Sequence, residues 1–159
     1  MGTSWLWLFE WCEATALGHV IRDSSWLFPV IEAVHLLGLC VLGGSLLVVD
    51  LRMLGLGLRR QTIAGLASDI RPWLLSSIAV MVATGTALFL SESVKCYYSQ
   101  AFWLKITTIP IAVLFTLTVR QRVAMAGTLE TTAVTRLVAL LSVALWFTVA
   151  AAGRWIGFS

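Results

Sequence analysis

Residues 26–50 read WLFPVIEAVHLLGLCVLGGSLLVVD, an apolar run from Trp26 to Val49 broken only by Glu32 and His35. About 20 residues of helix cross a hydrocarbon core of roughly 30 Å, so this stretch alone is long enough to span a bilayer. Three more runs follow it: Trp73 to Leu90, Phe102 to Val119, and Leu137 to Ile156, with Arg154 near the end of the last. Lipid offers a backbone amide no partner, and no run alternates as a barrel strand would, so the spans are helices. Composition agrees. Of 159 residues, 59% are hydrophobic and 12% charged, with eight Trp and a mean hydropathy of +0.91. Soluble domains run at about 45–50% apolar and about 25% charged. A soluble domain, a disordered chain and a disulfide scaffold are therefore excluded. The formal net charge of +3 is no nucleic-acid footprint, because the arginines fall at the ends of apolar segments. The expected partner is the lipid bilayer, with no nucleic acid.

Working outward from that run, the sequence predicts an all-α fold. It is an integral membrane four-helix antiparallel bundle with an N-terminal interfacial amphipathic helix, all one domain over 1–159. The interfacial helix is placed at about 3–18, and the spanning helices at about 25–50, 72–91, 101–119 and 136–156. Glu10 and Glu13 interrupt the first segment and no basic stretch precedes it, so a cleaved signal peptide is not expected. Trp5, Leu8, Phe9, Cys12 and Leu17 share a helical face suited to the membrane interface. Asp23 and Ser24 can cap the first spanning helix, and Pro29 sits near its first turns. A second short amphipathic helix is expected over Thr62 to Ile70, on the membrane surface. A homo-oligomer or a subunit of a membrane complex is the expected state.

Basic residues set the orientation. Arg52, Arg59, Arg60, Arg71, Arg120, Arg122 and Arg136 lie on one side, and Arg22, Lys95, Lys105 and Arg154 on the other. That split predicts two cytoplasmic loops and both termini outside.

Ionisable groups within spanning helices are functional candidates by default. Glu32, His35, Leu39, Gly43, Leu46 and Asp50 recur on one face of the first helix. At ~1.5 Å per residue from Trp26, Glu32 lies roughly 9 Å deep and His35 roughly 14 Å. Their i, i+3 spacing lets the two side chains meet. Lys105, Thr108, Ala112 and Thr116 stripe the third helix, and Ser77, Met81, Thr84 and Ser91 the second. Glu32, His35, Lys105 and Arg154 are thus candidates for one polar cavity or ion and proton relay. Each has a plainer reading beside it: snorkelling for Lys105 and Arg154, a counter-ion for Glu32, and a structural hydrogen bond for His35. Cys12 and Cys96 fall on the same expected side, where a disulfide can form, with two free thiols as the alternative. No catalytic residue set, zinc ligand set or nucleotide-binding loop is present.

The stretch Trp26–Leu39 (WLFPVIEAVHLLGL) continues to Val49–Gly57 (VDLRMLGLG), and is joined by Arg71–Leu74 (RPWL) and Phe102–Lys105 (FWLK). This F-P-x-I-E-x-x-H … V-D-L-R pattern resembles uncharacterised four-helix inner-membrane proteins of bacteria. More distantly, it is similar to membrane domains of copper-resistance proteins and small b-type cytochromes. The resemblance implies a bacterial inner-membrane bundle with His35 at its working position; His19 is outside the pattern. Three functions are open. One is a redox accessory with haem b on His35, the iron's second ligand being Met81 or the partner subunit's His35. A second is a carrier or channel for protons, a metal ion or a small solute, using Glu32 and His35. The third is a non-catalytic membrane subunit or oligomeric scaffold.

Overall fold

The computed structural model describes residues 5–156. Two short helices, α1 (Leu6–Glu13) and α2 (Ala16–Asp23), precede the long α3 (Leu27–Leu54). They are followed by α4 (Ile63–Ser91), short α5 (Ser93–Tyr98), α6 (Gln100–Phe115), α7 (Gln121–Met125) and α8 (Ala133–Ile156), with a π turn (Thr116–Arg120) joining α6 to α7. Helix α6, the π turn and α7 form one 26-residue run, so four helices are long and apolar enough to cross a membrane. No strand occurs among the described residues.

Local chemistry explains the helix ends. Ser24 Oγ accepts from Leu27 N at 3.2 Å and opens α3, and Pro29 falls in the first turn, where its missing amide matters least. Helix α3 runs to Leu54, past the expected end, and stops at Gly55, whose φ of 81° only glycine adopts cheaply. Gly55 N donates to Arg52 O and Leu56 N to Leu51 O, the paired bonds of a Schellman ending. Thr62 Oγ1 accepts from Gly65 N at 3.0 Å and starts α4.

Residues 62–70 are not a separate surface helix. They are the opening turns of α4, which passes through Pro72 without a break. A proline removes one intrahelical bond, and two contacts outweigh that loss here. Ile63, Leu66 and Ala67 are buried against Val49, Met53, Ala124, Val138 and Ala139. The first α4 amides, Ile63 N and Ala64 N, donate to Thr128 O and Gly127 O of the loop before α8.

The N-terminal segment also differs from one flat helix. It bends at Ala14–Thr15 into α1 and α2, which pack on α5 and α4 respectively. Phe9 is buried among Phe89, Tyr97, Phe102 and Trp103, with ring centroids 5.2–6.1 Å away, while Trp5, Trp7 and Trp11 stay exposed. Gly18 passes so close to the Leu90 carbonyl that a Cβ there would lie 2.5 Å from its oxygen. Arg22 donates to Glu13 Oε1 at 2.9 Å and to Ser91 O at 3.3 Å. Glu13 Oε2 in turn accepts from Val94 N at 2.6 Å. Helices α1 and α2 thus cap one end of the long helices; the loops between α3 and α4 and between α7 and α8 close the other. Between the ends, α3 packs on α4 and α8, and α6 on α8.

Candidate functional site

Two polar centres lie between the long helices. The first, toward the loop end, is an ion pair: Arg120 Nε donates to Asp50 Oδ1 at 2.7 Å, and both side chains are 1% exposed. Ser142 Oγ donates to Asp50 Oδ2 at 2.7 Å, and Arg120 Nη2 to the Leu46 carbonyl at 3.0 Å. Beside them, Trp146 Nε1 donates to the buried Thr116 Oγ1 at 2.9 Å. Helix α3, the π turn and α8 are tied by charge-assisted bonds, and among the described residues every buried side-chain polar atom has a partner. The π turn adds a residue to its helical turn, and both Thr116 and Arg120 stay on the buried side.

By apolarity alone Arg120 falls just past the third spanning run, which ends at Val119, and so counts with the basic residues of the loop side. Yet Arg120 continues the stripe Lys105, Thr108, Ala112, Thr116 by one more four-residue step. Arg52, assigned to the other loop, is also buried. Its Nε donates to Gln61 O at 2.8 Å and its Nη2 to Leu129 O at 2.7 Å, which joins the two loops. Of the seven basic residues read as loop charges, five are exposed: Arg59, Arg60, Arg71, Arg122 and Arg136.

The second centre is His35, toward the capped end. Its Nδ1 lies 2.7 Å from Thr84 Oγ1, and Thr84 Oγ1 donates its single proton to Val80 O at 2.6 Å. Thr84 Oγ1 thus stands within hydrogen-bond distance of both the Val80 carbonyl and the His35 ring, and ties the imidazole to α4. Gly85 makes room for the ring; a Cβ there would sit 3.3 Å from His35 Cε1. Lys105 of α6 is the charged group that acts on His35, and its Nζ lies against Gly153 of α8.

The expected cavity is only partly assembled. The buried face of α3 is turned by roughly 70° from the one read off the sequence, counting 100° per residue, and centres on Gly38, Leu42, Ser45, Leu46, Val49 and Met53. Glu32 is consequently exposed and makes no bond to His35. Arg154 is exposed near the end of α8. Of Glu32, His35, Lys105 and Arg154, His35 packs against Thr84 and Gly85 of α4 and Lys105 against Gly153 of α8, while Glu32 and Arg154 are exposed.

Haem b does not fit between His35 and Met81. Met81 Sδ packs over Gly38, 3.3 Å from where a Cβ would be, just as His35 packs over Gly85. Helices α3 and α4 therefore meet in van der Waals contact along the seam that a porphyrin would have to enter. Among the described residues, no three of His, Cys, Asp or Glu gather as metal ligands.

Cys12, Cys40 and Cys96 are free thiols in the structure. Cys96 is half-buried on α5, and burial together with the Glu92 carboxylate pushes its thiol up to about 11. His19 lies in the cap, where its Nδ1 accepts from Arg22 Nη2 at 3.0 Å.

Four helices of spanning length, lipid-compatible outer faces and a buried ion pair between them define a multi-pass membrane protein. The chain belongs to a family of unknown function, DUF6644, which matches residues 8–159. No curated protein and no solved structure matches it, so the likeness to copper-resistance proteins and cytochromes has no named relative behind it.

Proposed function

We propose that this protein is a non-catalytic membrane subunit, acting as an oligomeric scaffold or as part of a larger complex. The observation that carries the reading is the Asp50–Arg120–Ser142 centre, sealed from solvent and linking three of the four spanning segments. Removing either charge from such a pair leaves the other buried and uncompensated, so the arrangement favours one packing of the helices over others. In this reading the long helices form an antiparallel four-helix bundle in a bacterial inner membrane. Both termini face outside, and the Trp-rich cap lies at the outer interface. Size-exclusion chromatography with light scattering, on protein extracted from its native membrane, should give a multiple of the 17.4 kDa chain or a stoichiometric complex with another protein. A monodisperse single chain contradicts the proposal.

One feature favours a carrier for protons or small solutes as the second reading. Arg120 closes the loop end from within a π turn, and π turns are common where helices work. Breaking the Asp50–Arg120 pair would open that end, so proton or solute flux in proteoliposomes that rises in Arg120→Gln supports the carrier.

A further inference from the structure

Arg59 follows the end of α3 and Arg136 stands in the first turn of α8, yet both guanidiniums are fixed to the two sides of one contact. Arg59 Nε donates to the Gly55 carbonyl at 3.0 Å. Gly55 lies against Thr131, where a Cβ would fall 3.3 Å from Oγ1. That same Oγ1 accepts from Arg136 Nη2 at 3.4 Å. The frame beneath is held by Arg52, which bonds Gln61 O and Leu129 O, while Gln61 N donates to Leu58 O at 2.9 Å. Arg59, its neighbour Arg60 and Arg136 are all exposed, and none is ion-paired among the described residues. Against the five exposed arginines of this end stand the exposed carboxylates of Asp69 and Glu130; Glu130 adjoins Thr131 and pairs with none of the three.

These cations are interleaved with apolar side chains. Leu56, Leu58 and Leu129 are half or more exposed. From the same spot, apolar rows run along the helices in four-residue steps, which keep to one face. Leu51 and Leu47 lie one and two turns back from Gly55 on α3, and Leu140 one turn on from Arg136 on α8; all three are exposed. Helices α3 and α8 pack on each other. Arginines at the head of exposed apolar rows suit a molecule that is anionic at one end and alkyl at the other.

We propose that Arg59, Arg60 and Arg136 bind the phosphate of an anionic phospholipid in the leaflet at the loop end, with its acyl chains along Leu47, Leu51 and Leu140. A guanidinium presents a planar fork of donors that matches phosphate oxygens. Within the fold Arg59 uses only Nε and Arg136 only Nη2, so each keeps terminal N–H groups for the ligand. A zwitterionic headgroup carries its own cation and gains less from the cluster. The site needs neither the subunit reading nor a given orientation, and stands or falls separately.

Native mass spectrometry of the full-length protein released from detergent micelles, titrated with dioleoyl phosphatidylglycerol and with dioleoyl phosphatidylcholine, tests the proposal. Phosphatidylglycerol should bind about tenfold more tightly or better. Arg59→Gln and Arg136→Gln should each weaken it about fivefold, the worth of one basic residue at an anionic surface. Phosphatidylcholine binding should stay within about twofold of the parent's. Lys95→Gln, at the capped end, should leave both lipids unchanged, and sodium phosphate at matched ionic strength should not displace phosphatidylglycerol. Should the Arg59 or Arg136 variants fail to fold, Arg60→Gln, which breaks no bond of the fold, should show the same loss and decides. Equal binding of the two lipids, a preference undiminished in the folded variants, an equal loss in Lys95→Gln, or displacement by inorganic phosphate overturns it.

Discussion

Arg52 and Arg120 carry the same charge as their neighbours in the loops, yet both are buried and bonded within the fold. A count of basic residues cannot separate the two kinds, because it weighs charge and position but not what a guanidinium finds on arrival. Arg52 has five donors in a fixed fork and uses two of them on carbonyls of different loops. Arg52→Met should therefore loosen both loops, at a cost of about 1–3 kcal/mol, and limited proteolysis between residues 55 and 62 should accelerate. Cleavage at the parent's rate contradicts that role. Cys96 offers a test of charge at the other end. Its thiol titrates near 11, so the reactive thiolate is scarce at neutral pH. Iodoacetamide labelling of Cys96 should rise about tenfold per pH unit between about pH 8 and 10. Lys105 pulls the thiol down and Glu92 pushes it up, so Lys105→Gln should slow labelling at fixed pH and Glu92→Gln should speed it. Labelling that is already complete and flat at pH 8 contradicts the buried, acid-flanked placement.

Among the elements, the spans were legible because length and apolarity alone set them. Long apolar runs at Trp26, Trp73, Phe102 and Leu137 needed no tertiary information. The partition of α4 was not legible: Arg71 and Pro72 look like a boundary, and only the docking of Ile63 and Leu66 on the far loop keeps that helix whole. The inward face of α3 was misjudged for a related reason. Glu32 lies within two turns of the start of α3, close enough to the helix end to reach the interface, so close packing at glycine decides the face instead; Gly38 and Gly85 bring α3 onto α4 and leave Glu32 outside. The cap was visible as an amphipathic segment but not as a docked one, since its anchor is a tertiary aromatic cluster. Phe9→Ala should cost the cap about 3–4 kcal/mol. Its readout is faster hydrogen exchange at Val94 N, which Glu13 holds at 2.6 Å, with α3 and α8 unchanged. Unchanged exchange at Val94 contradicts the docking.

For the whole molecule, the five exposed basic residues at the loop end still face a smaller exposed set at the capped end, namely Arg22, Lys95 and Arg154. The proposed orientation follows from that difference. Reporter fusions at Ser159 and at Met125 should report opposite sides, with Met125 cytoplasmic; a cytoplasmic signal at Ser159 reverses the orientation without touching the fold. The central claim concerns what unites the spans. Apolar association is weak between helices already surrounded by lipid tails, so the Asp50–Arg120 pair should account for much of the specificity with which α3, the π turn and α8 meet. A double-mutant cycle on reversible unfolding in mixed micelles measures this directly, with Asp50→Asn, Arg120→Gln and the two combined. Each single change should cost about 3–5 kcal/mol, as expected for a stranded buried charge. The combined change should cost no more than either alone. Two small, additive losses would contradict the account, because the pair would then be a bystander to the packing of the helices.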